Sequence, residues 1–367
     1  MFEKKPHTRL RDLGLTIGHL PPGPLNTITD VPGVWVGQTT IIVDDPRVAR
    51  TGVTIILPRE GRIWQDPAFA AYHSYNGCGE MTGMHWIAES GLLTTPIAIT
   101  NTGQVGTVHE ALGMYAFQHG LTEEFELPVV AETYDGWLSD MAGMHVTREH
   151  VFQALESARS GPVEEGCVGG GTGMICHEFK GGIGTASRLV EISAGTFTVG
   201  VLVQANYGAR RDLRLDGIPV GEEIGLDQIP SGWDDAEEVT PTPGEGSIII
   251  IVATDAPLLP YQCRRLAQRA TTGLARTGGF GYNGSGDIFL AFATGNTFNP
   301  KTIKPVALEM LTNAQMNPFF VATAEAVEEA IWNALIAAET TTGYKGRKAI
   351  AIPHEEVVRV WKKYRGI

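Results

Sequence analysis

A serine at position 247 heads the most strand-like run in the chain, Ser247-Ile248-Ile249-Ile250-Ile251-Val252-Ala253-Thr254, directly after Gly244-Glu245-Gly246, with a glycine immediately before it. A serine hydroxyl becomes a nucleophile only when a base takes its proton. No GxSxG elbow is present, and none of the ten histidines sits in a recognisable motif. A second solution is a serine or threonine at a new N-terminus, which uses its own α-amine as base. An α-amine has an ordinary pKa of about 7.7–8.0, so a modest fall makes it a working base at neutral pH. The amine exists only after the preceding peptide bond is cut. That chemistry asks for a nucleophile at a strand's first residue, small residues before it and a flexible tether. Gly246, without a Cβ, lets the hydroxyl approach its carbonyl. The same pattern also reads as an ordinary linker-to-strand boundary, which glycine and serine commonly mark.

The elements that must hold this serine mix strands and helices without a regular βαβ rhythm. Strands are expected within 28–37, 39–43 and 52–57, at 96–100 and 127–132, and as a consecutive pair at 182–190 and 196–205. Helices are expected over 80–90, 108–119, 147–157 and 257–276, with a final Ala- and Glu-rich helix over 322–339. Residues 221–246 hold eight acids, three prolines and no Lys or Arg, which reads as a flexible acidic linker. The isoleucine run after it is patterned for burial on both faces, and 287–293 is a further apolar strand.

Composition bounds the function classes. The chain has 367 residues, 43% hydrophobic and 19% charged, as an ordinary globular protein does, with 45 glycines clustered near strand ends. A net charge of -13 argues against nucleic acid, which calls for a basic footprint, and gives no support to binding an anionic membrane. Four cysteines form no CxxC pair, and no His/Cys cluster has zinc-ligand spacing, so no metal is expected. Gly279-Phe280-Gly281-Tyr282-Asn283-Gly284 has dinucleotide-loop spacing but follows a helix and leads into a strand, the reverse of the required context, so no organic cofactor is expected either. No apolar run follows the first lysines and none is long enough to span a bilayer, so the expected location is cytoplasmic.

The stretch from Gly244 to Leu258 resembles the self-cleavage junction of the L-aminopeptidase D-amidase/esterase family, which includes the β-peptidyl aminopeptidases. Residues 26–37, Glu132-Thr133-Tyr134-Asp135-Gly136-Trp137-Leu138, Val203-Gln204-Ala205-Asn206-Tyr207-Gly208 and Gly281-Tyr282-Asn283-Gly284-Ser285-Gly286-Asp287 resemble the same family, in its order and over nearly the whole chain. The resemblance implies one αββα sandwich over 1–367, the fold shared with the ornithine acetyltransferases. It implies cleavage into an α chain, 1–246, and a β chain, 247–367, which stay together and assemble into a homo-oligomer of αβ units, with a tetramer expected.

Roles follow from the resemblance position by position. Ser247 matches the nucleophile and Gly246 the residue before the cut. Asn206 matches an oxyanion-stabilising side chain, and Tyr134 a site tyrosine that aids it. Glu132 matches the carboxylate that holds the substrate's free ammonium. Ser285 and Asp287 match a hydroxyl and carboxylate that orient the amine and relay protons. Some β-peptidyl members carry an aliphatic residue where Tyr134 stands, which leans this chain toward α-aminoacyl substrates. The implied enzyme releases a small N-terminal residue from a short peptide, amide or ester through an acyl-enzyme on Ser247. The rivals are an acyltransferase of the ornithine acetyltransferase type, against which serine rather than threonine speaks, and an uncleaved relative without catalysis.

Overall fold

The structure, a computed structural model, describes residues 8–122, 125–231 and 245–367. In chain order, leaving aside a two-residue pair at Thr341–Thr342 and Lys348–Ala349, its strands are β1 (Trp35–Val43), β2 (Ala49–Leu57), β3 (Ala68–Ser74), β4 (Leu92–Leu93), β5 (Ile97–Asn101) and β6 (Val129–Thr133). A two-residue hairpin, β7 (Ile175–Cys176) and β8 (Phe179–Lys180), precedes the long strands β9 (Gly182–Ile192) and β10 (Gly195–Asn206), then β11 (Ser247–Thr254) and β12 (Ile288–Ala293). The helices are α1 (Met84–Ser90), α2 (Val105–Gln118), α3 (Arg148–Ser157), the single turn α4 (Val220–Glu223), α5 (Pro260–Arg276), α6 (Asn317–Ile336) and α7 (His354–Arg365).

Two sheets stack face to face in an αββα sandwich. One has the order β1-β2-β5-β6 and the other β4-β3-β12-β11-β10-β9. Helices α2 and α3 cover the first, while α5 and α6 cover the second. The isoleucine run shows why both faces of β11 had to be apolar. Ile248, Ile250 and Val252 join the core under α5 and α6, and Ile249, Ile251 and Ala253 join the core with the other sheet. Successive residues of one strand thus serve two cores.

Several expectations need correction. Residues 28–30 form a 3-10 turn, and the strand begins only at Trp35, because the Pro32-Gly33 turn interrupts the pattern. β3 went unread, since its Ala-rich, His- and Tyr-bearing sequence carries little strand propensity, although it pairs with β12 along six residues. The helix expected to be final is followed by α7, whose Val357, Val360 and Trp361 form a buried stripe at helical spacing. The glutamates of α6 are buried. Arg188 bonds both Glu325 and Glu329, and Arg276 pairs with Glu328, which supplies the partners that buried charge requires. The acidic segment is not free linker at its start. Ile224 is fully buried, Glu223 pairs with Lys363 of α7, and Arg210 bonds the carbonyl of Ile229. Its residues 232–244 lie outside the described residues.

Candidate active site

The sheet topology brings the ends of three strands to one point. β10 runs antiparallel to β11, and its last residue, Asn206, is in register with Ser247, the first residue of β11. β12 runs parallel to β11 on the other side, so the residue entering it, Asp287, arrives at the same end. In the facing sheet β5 and β6 are parallel and end together, which carries Thr102 and Glu132 to the same rim. A cavity of about 540 Å³ opens there, and Ser247, Asn206, Glu132 and Tyr134 are all on its wall.

Ser247 is 7% exposed, and its Oγ accepts a hydrogen bond from the Gly286 N–H at 3.0 Å. A backbone donor aimed at a hydroxyl oxygen favours negative charge on that oxygen. Gly246 has φ +132, and a Cβ there would lie 2.1 Å from the Asn206 carbonyl oxygen. Only glycine fits that conformation and that approach.

Asn206 is held at both ends of its amide. Its Oδ1 accepts from the Ile175 N–H at 2.8 Å, and its Nδ2 donates to the Tyr134 carbonyl at 3.1 Å. The first bond fixes which end of the amide is the donor, and the second uses one of its two N–H groups, leaving the other. The β7–β8 hairpin that supplies Ile175 turns through His177 and Glu178, both left-handed at φ 49 and 62, as a tight two-residue hairpin demands.

Asp287 is buried. Its Oδ1 accepts from the Ile248 N–H at 3.1 Å and its Oδ2 from Asn76 Nδ2 at 2.9 Å. Burial raises its pKa to about 6, against the lowering effect of those two hydrogen bonds. Ser285 is buried two residues before it, and the hydrogen bonds it makes to described residues run through its backbone: its carbonyl accepts from the Cys78 N–H and its N–H donates to Tyr282.

Glu132, 3% exposed, accepts from the Glu80 N–H at 2.9 Å on Oε1 and from the Thr102 hydroxyl on Oε2. Burial pushes its pKa up, and these two donors pull it down. Each oxygen keeps a further lone-pair site for an incoming cation. Tyr134 is 53% exposed; its ring lies over Gly136, and the bond it makes to Asn206 uses its backbone carbonyl.

The structure thus brings Ser247, Gly246, Asn206, Asp287, Glu132 and Tyr134 around one rim, with Ser285 just behind it. Sequence reasoning missed Gly286, Thr102, Glu80 and Asn76, which act through backbone groups or through loops that carry no periodic signal. Among the described residues that line the cavity there is no histidine, lysine or arginine. The fully buried His177, pushed down to about 4 by burial, lies behind the wall against Tyr207. Among the described residues no three His, Cys, Asp or Glu side chains converge as a metal site requires, and no helix is long and apolar enough to cross a membrane.

Residues 26–349 match the model of peptidase family S58. The chain is 46% identical to a β-peptidyl aminopeptidase of Sphingosinicella microcystinivorans, over 97% of this chain and 92% of that protein. Among solved structures, a β-aminopeptidase of a Burkholderia species superposes with a TM-score of 0.90 at 49% identity, covering 97% of this chain and 99% of that one. The L-aminopeptidase D-Ala-esterase/amidase of Ochrobactrum anthropi, described as a prototype of the serine aminopeptidases and a variant of the Ntn hydrolase fold, superposes with a TM-score of 0.88 at 42% identity, with the same coverage.

Proposed function

Because this chain belongs to peptidase family S58 and is a serine aminopeptidase of the Ntn hydrolase fold, we propose that it cuts itself between Gly246 and Ser247 and then works through Ser247. The observation that carries this reading is the placement of Ser247 at the head of β11, its hydroxyl accepting from the Gly286 N–H and the buried Asp287 carboxylate held on the N–H of the next residue, Ile248, in a cavity with no histidine on its described wall. In the precursor Ser247 Oγ attacks the Gly246 carbonyl carbon. The C–N bond breaks, the carbonyl passes to Oγ as an ester, and the nitrogen leaves as the α-amine of Ser247. Water then frees the Gly246 carboxylate.

In the mature enzyme that amine takes the Oγ proton as Oγ attacks the substrate carbonyl, and gives it to the departing amine. Water resolves the acyl-enzyme. Asn206 turns its remaining N–H to the developing oxyanion, with Tyr134 beside it. Glu132 holds the substrate's ammonium as a charge-assisted pair. Asp287 and Ser285 orient the Ser247 amine. The two pieces, 1–246 and 247–367, stay in one domain because β10 of the first pairs with β11 of the second along eight residues.

The substrate is a short peptide, amide or ester with a small, free N-terminal residue. Acyl transfer by an ornithine acetyltransferase type of enzyme, or an uncleaved relative, is not favoured beside relatives named as aminopeptidases. The same reading extends to a tetramer of αβ units and a cytoplasmic location, which sedimentation and cell fractionation test. Hydrolysis of alanyl and β-alanyl p-nitroanilides beside their N-acetyl forms tests the activity. Cleavage of free but not acetylated substrates is expected, and equal cleavage of both would contradict it.

A further inference from the structure

The loop after β3 is clamped onto the segment that carries Ser285 and Asp287. Tyr75 donates its N–H to the Asp287 carbonyl, Cys78 donates its N–H to the Ser285 carbonyl, and a Cβ on Gly286 would lie 2.5 Å from the Gly79 Cα. One side chain in this loop grips Asp287 at two points. Asn76 Nδ2 donates to Asp287 Oδ2 at 2.9 Å, while Asn76 Oδ1 accepts the Asp287 N–H at 2.5 Å. The same Nδ2 donates to the Tyr282 carbonyl at 3.2 Å, which fixes the amide's orientation. A carboxylate gripped on Oδ2 and on its own backbone cannot swing, so Oδ1 stays on the Ile248 N–H, next to Ser247.

We propose that Asn76 is a positioning residue of this aminopeptidase, which acts by keeping the Asp287 carboxylate ionised and aimed at the Ser247 amine. This rests on Asp287 serving the nucleophile, as set out above. Among the described residues, the groups near Asp287 that can change charge are the phenols of Tyr75 and Tyr282, the Cys78 thiol, the phenol of Tyr207 just after β10, the Glu245 carboxyl against Gly284, and the Ser247 amine once freed. Burial holds Tyr207 far above the ordinary phenol range, so it stays neutral. Asn76 is thus the side-chain donor bound to the carboxylate of Asp287, and its removal makes ionisation harder.

The test is the pH profile of kcat/KM for the matured fraction of wild type, Asn76→Ala, Asn76→Asp and Asp287→Asn, with thermal midpoints taken alongside. Asn76→Asp keeps the shape and the acceptor for the Asp287 N–H but replaces the donor with a like charge. The acid limb is expected to move up by about one pH unit in Asn76→Ala, the scale set by losing a hydrogen bond to a charged group, and further in Asn76→Asp, with activity recovering at alkaline pH. A purely structural residue would lower the thermal midpoint and leave the limb in place. An unmoved limb in folded Asn76→Asp would overturn the role of Asn76. A wild-type profile in Asp287→Asn would instead remove Asp287 from the mechanism, and Asn76 with it.

Discussion

Asn206 and Ser247 face each other as the terminal register pair of the β10–β11 ladder, so the proposed oxyanion donor and nucleophile are set by one run of strand pairing. Strand ends in a packed sheet are stiff places from which to aim a group. A donor that strengthens only as charge develops lowers the barrier without tightening substrate binding. Asn206→Ala is therefore expected to lower kcat by about 10²–10³ with little change in KM. Steady-state kinetics on the matured fraction decide, and a near-normal kcat would pass the role to Tyr134 or to backbone N–H groups.

Gly246 tests the geometry of the cut. Any side chain there meets the Asn206 carbonyl and a left-handed backbone. Gly246→Ala should fold, as judged by circular dichroism, but accumulate as the uncut chain on a denaturing gel. Cutting at the wild-type rate would mean that the Gly246 conformation is irrelevant to self-cleavage.

Glu132 is expected to read the substrate's charge. Glu132→Gln should weaken kcat/KM by about 2 kcal/mol or more, the scale for truncating one partner of a buried charge pair. Thr102→Val removes one of the two donors that hold the carboxylate and should act in the same direction, less strongly. The comparison to make is free against acetylated substrate in each variant. Glu132→Gln that still discriminates as the wild type does would make Glu132 structural.

Asp287 gives a pH signature whose sign differs between activity and stability. Its pKa in the fold is raised from 3.8 to about 6. Activity that needs the carboxylate ionised should fall as pH drops through about 6. The stability effect runs the other way, because ionisation is harder in the fold than in the unfolded chain. Stability from this residue is present below pH 3.8 and lost as pH rises through about 6. Asp287→Asn should thus gain thermal midpoint relative to wild type above pH 6 and lose activity there. Parallel changes in both would contradict the assignment.

How much of this was legible in the sequence differs residue by residue. The contrast of composition, acidic tether against isoleucine strand, marks Ser247 as a candidate but equally marks an ordinary linker boundary, and its proposed role comes from resemblance. Asn206, Asp287, Glu132, Tyr134 and Ser285 could be read only from resemblance, since each alone is an ordinary strand-end or turn residue. Asn76 and Thr102 could not be read at all. They meet Asp287 and Glu132 through long-range pairing, β3 with β12 and β5 with β6, and β3 itself was invisible to strand propensity. The buried glutamates of α6 were hidden for a similar reason. Their partners Arg11, Arg188 and Arg276 lie on other elements, so nothing local marks them as core.

The most direct test of self-cleavage at Ser247 is N-terminal sequencing and intact mass of the purified protein, beside Ser247→Ala. Two chains are expected, 1–246 and 247–367, the second beginning Ser-Ile-Ile-Ile, with Ser247→Ala remaining one inactive chain. A single full-length chain that hydrolyses aminoacyl p-nitroanilides, or a new N-terminus at any other residue, would contradict the account.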